Sequence, residues 1–156
     1  MTIGKGPSVR HLEETTVASM RRRIPIEQLG AVMAELAEAC RERGIAAAGP
    51  PMAIYYDTEF DPRDTDVEVC VPVTAEFASD EKVRRRTLPG GAVATIIHRG
   101  GYDTIGESYA ALMAFVQEQG HRVIGPPREV YLVGPGAPGG TESFQTEIQV
   151  PVLSVH

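Results

Sequence analysis

Gln145-Thr146-Glu147-Ile148-Gln149-Val150-Pro151-Val152 alternates apolar and polar residues with a period of two, so it reads as a β-strand. Ile148, Val150 and Val152 share one face, and Glu147, Gln149 and Pro151 the other. An earlier stretch, Asp66-Val67-Glu68-Val69-Cys70-Val71-Pro72-Val73, carries the same Glu-apolar-x-Val-Pro-Val ending. Taken alone, Glu147 is an alternating acid; taken with Glu68, it belongs to a repeat.

The repeat extends outward from these strands. Val17-Ala18 and Val93-Ala94, Gly44 and Gly120, Gly49-Pro50-Pro51 and Gly125-Pro126-Pro127, and Tyr55 and Tyr131 all lie 76 positions apart. The two glutamates lie 79 apart, so the second copy holds three extra residues between its last two strands. A constant spacing across several landmarks identifies an internal duplication. We therefore expect one domain, residues 1–156, made of two repeats at about 8–75 and 84–153.

Each copy is read against the other. The segments 9–22 and 85–99 hold β-branched runs expected to form strands, with Leu88-Pro89-Gly90-Gly91 as a turn. Leu29, Val32, Met33, Leu36 and Cys40 make an apolar helical stripe that ends near Gly44. Ile105, Tyr109, Leu112 and Val116 make its counterpart, with Asp103 as the expected N-cap and Gly120 at the end. Gly-Pro-Pro then blocks further helix, and two strands follow in each copy. The fold expected is α+β, with duplicated strand-helix-strand-strand units related by a pseudo-twofold axis. Two helices cover one face of an antiparallel sheet, and a ligand cleft lies on the other.

Alternation assigns Ile54 and Tyr56, with Val130 and Leu132, to the core side. Tyr55, Glu68, Cys70, Tyr131, Glu147 and Gln149 then share the opposite face. A carboxylate among aromatic rings suits an organic cation, since cation–π attraction adds roughly 0.5–2 kcal/mol. The competing reading of Glu147 is a solvated acid, and Tyr55 and Tyr131 serve either a pocket or packing. Tyr102 precedes the second helix and could cover one end of the cleft; Tyr109 lies on the packing stripe unless its hydroxyl reaches the pocket. Cys70 has no basic neighbour in sequence to activate it.

Composition narrows the classes further. A net charge of −6 argues against a surface for a phosphate backbone. Two cysteines, no signal-peptide pattern and no long apolar run lead us to expect a cytoplasmic protein without membrane segments. Gly134-Pro135-Gly136-Ala137-Pro138-Gly139 matches G-x-G-x-x-G, but it opens no helix and its prolines remove donors, so it reads as a hairpin loop. Arg21-Arg22-Arg23 and Arg84-Arg85-Arg86 read as solvated strand edges. His11, His98, His121 and His156 have no ligand spacing, so neither a metal nor a cofactor is expected, and His98 reads as a strand-end residue.

The strings Leu88-Pro89-Gly90-Gly91, Gly125-Pro126-Pro127 with Tyr131, and Thr146-Glu147-Ile148-Gln149-Val150-Pro151-Val152 resemble the GyrI-like (gyrase-inhibitor-like) effector-binding domain. That domain occurs in AraC-type and MerR-type multidrug-responsive regulators and as a stand-alone protein. The resemblance covers nearly the whole chain from about Pro7. It implies a small-molecule cleft across the pseudo-twofold, with an acid on the last strand contacting hydrophobic, cationic drugs. That acid is Glu147 here, with Gln149, Glu68, Tyr55, Tyr131, Tyr102 and Tyr109 around it. Some stand-alone members hydrolyse cyclopropane-containing genotoxic compounds with the same acid, and others bind a topoisomerase or neutralise toxins. No helix-turn-helix segment precedes Val9, so we expect a stand-alone binding protein rather than a regulator. The chain also lacks tryptophan, and Phe115 stands where many relatives carry it.

Overall fold

The computed structural model describes residues 3–135 and 138–154. Gly136 and Ala137 of the glycine-rich string, and His156, lie outside the described residues. The elements in order are β1 (Ile3–Leu12), β2 (Thr15–Ile24), α1 (Leu29–Glu42), β3 (Met52–Tyr55) and β4 (Thr65–Pro72). They continue with β5 (Arg84–Leu88), β6 (Gly91–Arg99), α2 (Ile105–Glu118), β7 (His121–Val123), β8 (Arg128–Val133) and β9 (Gln145–Ser154). The architecture is α+β with antiparallel pairing throughout the strand pairs.

The duplication is visible in the elements themselves. α1 and α2 start 76 residues apart, and each follows a short 3-10 turn, Ile26–Gln28 or Tyr102–Thr104. Both helices give way to a glycine in the left-handed region, Gly44 at φ 68° and Gly120 at φ 71°, a backbone shape that side chains disfavour. Asp103 is not the N-cap of α2; it sits inside the 3-10 turn, whose backbone bonds already start the helix.

The recurring proline strings find their reason in packing. Ala48 N–H donates to the Pro72 carbonyl at 2.7 Å, and Ile124 N–H to the Pro151 carbonyl at 3.0 Å. A Cβ on Gly49 would stand 3.3 Å from Pro72 Cγ, and one on Gly125 3.2 Å from Pro151 Cγ. The glycine of Gly-Pro-Pro thus seats the proline of Val-Pro-Val in each copy.

The expected opening strands each divide in two at a turn. β1 and β5 precede the strand-helix-strand-strand core of their own repeats, and each pairs with a strand of the other. The chain forms two compact units, one of Glu13–Gly90 and one of β1 with the chain from Gly91 onward. In the first, the order is β3-β4-β2-β5, so β5 of copy two closes the sheet of copy one. In the second, the order is β1-β6-β9-β8, with β7 also on β9.

Within the second unit the core is Ala94, Ile96, Leu112, Val116, Ile148, Val150 and Val152, with Ile105, Tyr109 and Phe115 packed against it. The even-numbered side of β9 therefore faces α2. In the first unit α1 packs on β2 and β4. Among the described residues no helix is long and apolar enough to cross a membrane.

Candidate functional site

Register decides which side chains meet, because residues directly opposite on antiparallel strands share a face. Val130 stands opposite Glu147, and Ile54 opposite Glu68. Glu129 stands opposite Ile148, and Tyr131 opposite Thr146, on the helix-facing side. Tyr55, opposite Val67, has the equivalent place in the other unit. The expected grouping of Tyr55 and Tyr131 with Glu147 and Glu68 is thereby corrected: tyrosines and closing-strand acids occupy opposite faces. Hydropathy assigned Ile54 and Val130 to the helix side, whereas they are apolar neighbours of the two buried acids.

Glu147 is 6% exposed and held on every side. Arg10 Nε and Nη2 donate to its two carboxylate oxygens at 2.9 and 2.8 Å. Thr95 Oγ1 donates to one oxygen at 2.7 Å, and Gln149 Nε2 to the other at 3.1 Å. A forked guanidinium on a carboxylate is the strong form of ion pair, and here it offsets the desolvation of the acid.

Glu68 repeats the arrangement in the other unit. Arg86 and the Tyr56 hydroxyl both donate to its Oε1, and Arg86 also donates to the Tyr56 oxygen at 2.9 Å. Arg21 stacks its guanidinium over the Tyr56 ring at 3.8 Å. Burial opposes the Glu68 charge, but the Tyr56 and Arg86 bonds and the Arg86 charge hold its carboxyl below the ordinary value. Arg10 and Arg86 lie 76 residues apart, as β1 and β5 do, so each acid is clamped by the leading strand of the other repeat. Arg84 and Arg85 are exposed on the edge strand β5 as expected, whereas Arg86 departs from that reading by turning onto Glu68.

A different acid gathers the tyrosines. Glu129, 9% exposed, accepts from Tyr109 Oη at 2.6 Å and from Tyr131 Oη at 2.9 Å. Tyr109 comes from α2 and Tyr131 from the strand that bears Glu129. The Tyr102 ring meets Tyr131 edge-on at 5.8 Å and Phe144 at 5.5 Å. Burial, then the Glu129 charge, push the Tyr102 phenol up. Three tyrosines singled out from sequence thus come together, around an acid that was not.

Behind this cluster, His98 is fully buried near the end of β6. Its Nε2 lies 2.9 Å from the Gly101 carbonyl, so that nitrogen carries the hydrogen. Nδ1 is hydrogen-bonded with Ser108 Oγ at 2.7 Å. The pair ties the turn that carries Tyr102 to both β6 and α2.

The cluster is particular to copy two. At the equivalent positions copy one has Ala53 for Glu129, Met33 for Tyr109, Ile26 for Tyr102, Arg22 for His98 and Val32 for Ser108; only Tyr55 matches Tyr131. That acid-for-alanine exchange beside a shared tyrosine was the sequence signal for Glu129. Among the described residues no group of three or more His, Cys, Asp or Glu is placed to hold a metal.

A model described as the GyrI-like small molecule binding domain matches residues 6–153, and the chain belongs to that family. The EcmrR C-terminal domain is similar over 98% of this chain and 100% of its own, with TM-score 0.87 and 25% identity. The EcmrR–DNA complex in EcmrR-RPo is similar over 96% of this chain, with TM-score 0.89 and 25% identity; this chain spans 57% of the EcmrR chain there. A hydrolase from Listeria innocua shares the fold at TM-score 0.67 and 14% identity, over 97% of this chain and 93% of its own. No curated protein matches the chain.

Proposed function

We propose that the chain binds aromatic, positively charged small molecules at the Glu129 cluster. The observation that carries this reading is a buried carboxylate receiving two phenol hydrogen bonds beside a third aromatic ring. An organic cation there gains Coulomb attraction to the acid and cation–π contact with the rings, both strengthened by exclusion of water. The family's small-molecule binding supports the same conclusion. Glu147 and Glu68, which the closing strands first put forward, act instead as clamps between strands. The satisfied oxygens of Glu147 suit that role better than ligand charge or general-base hydrolysis.

The test is calorimetric titration with tetraphenylphosphonium and with neutral triphenylphosphine oxide, against wild type, Glu129→Gln and Glu147→Gln. We expect wild type to prefer the cation and Glu129→Gln to lose about tenfold or more of that affinity, on the order of 1.4 kcal/mol. Glu147→Gln, where folded, keeps it. Equal cation affinity in wild type and Glu129→Gln would sink the proposal.

A further inference from the structure

Thr146 is completely buried, and its hydroxyl has no hydrogen-bond partner among the described residues. It stands in a row with His98 on β6 and Tyr131 on β8, directly opposite both, on the face that bears Glu129. The nitrogens of His98 are engaged by Ser108 and Gly101, and the Tyr131 hydroxyl donates to Glu129. The hydroxyl in the middle of the row is the idle one.

A buried hydroxyl without a partner costs free energy that an apolar isostere avoids. The duplication supplies that isostere. The residue 79 positions earlier is Val67, also fully buried, opposite Tyr55 as Thr146 is opposite Tyr131. Valine and threonine have nearly the same shape, so packing does not account for the oxygen in copy two. Copy two differs from copy one at this position as it does at Glu129, Tyr109 and Tyr102, by adding polar chemistry to the same face.

We infer that Thr146 hydrogen-bonds the ligand of this site, and that the ligand carries a hydroxyl, carbonyl or amine besides its charged aromatic part. This rests on the reading of the Glu129 cluster as the ligand site. Glu129 faces Ile148, two residues along β9 from Thr146, so the two anchors are diagonal neighbours, roughly 7–8 Å apart.

Tetraphenylphosphonium and its (4-hydroxyphenyl)triphenylphosphonium analogue differ by one such hydroxyl. Titrating both against wild type and Thr146→Val, we expect wild type to favour the hydroxylated cation by about tenfold and the variant to lose that preference. Equal binding of the two cations by wild type, or a preference that survives in Thr146→Val, overturns the inference. If neither cation binds, the reading of the Glu129 cluster fails, and thermal unfolding still decides about Thr146. A melting temperature of Thr146→Val at or above that of wild type supports an idle hydroxyl. A clear fall shows that the hydroxyl is already satisfied in the free protein, and overturns the inference independently.

Discussion

Arg10 and Glu147 form a two-toothed ion pair between the leading strand of copy one and the closing strand of copy two. Arg86 and Glu68 make the reciprocal pair in the other unit. Each glutamate is buried, while the arginine side chains are 49% and 32% exposed. Removing one partner strands the other charge, which costs about 3–5 kcal/mol when both are buried and less when water reaches one of them. Arg10→Leu should lower unfolding free energy by about 1–2 kcal/mol and Arg86→Leu by about 2–4 kcal/mol. Denaturant titration checks the order. A larger loss for Arg10→Leu contradicts it, and Arg10→Leu combined with Glu147→Leu should recover part of the single loss.

Acid stability follows from Glu68. Its carboxyl titrates below the ordinary 4.5, because the Tyr56 and Arg86 bonds outweigh burial. A depressed folded value makes this contribution complete above the unfolded value and lost as pH falls through the folded one. Wild type should therefore lose more stability than Glu68→Gln between roughly pH 5 and pH 3. Parallel acid limbs in urea unfolding would show that Glu68 does not set that slope.

Leu112 is fully buried between α2 and the sheet, in contact with the Ile148 row. Leu112→Ala should cost about 2–5 kcal/mol through lost transfer energy and the cavity left behind. Met113, 42% exposed on the same helix, is the control. Met113→Ala should stay within about 0.5 kcal/mol of wild type. Comparable losses at the two sites would argue against the packing direction of α2.

We expect His98 to position Tyr102 through the Gly101 turn. His98→Ala leaves the buried Ser108 hydroxyl without its bond to the ring, at a cost of about 1–3 kcal/mol, while the Gly101 carbonyl keeps its bonds from Thr104. It should also weaken tetraphenylphosphonium binding, as Tyr102→Ala does, whereas Arg99→Ala on the exposed neighbouring position leaves both stability and binding unchanged. Unchanged affinity in a folded His98→Ala would separate the turn from the site.

Much of the fold was legible because it repeats. The 76-residue spacing, the two apolar stripes and the twin Val-Pro-Val strands are local patterns, and the structure returns them as α1 and α2, β4 and β9. The leading strands were harder to see: the turn at Leu88–Gly91 was legible, but the segment 9–22 reads as one run until the turn after β1 divides it. Their partners lie in the other repeat, and pairing between distant segments leaves no local signal.

The site was legible in its residue types but not in its grouping. Tyr102, Tyr109 and Tyr131 were singled out, yet the acid they surround is Glu129, opposite Ile148 on the face away from Glu147. Alternation along one strand gives two faces without saying which meets the helix, and a buried polar face defeats hydropathy as the guide. The sequence by itself determined the duplication, the helices and the acid-bearing strands, because periodicity and spacing are properties of the chain. Only the tertiary structure decided that arginines from exchanged strands neutralise Glu147 and Glu68, and that Glu129 gathers the tyrosines. Those outcomes depend on register between strands far apart in sequence, where a shift of one residue moves every side chain to the opposite face.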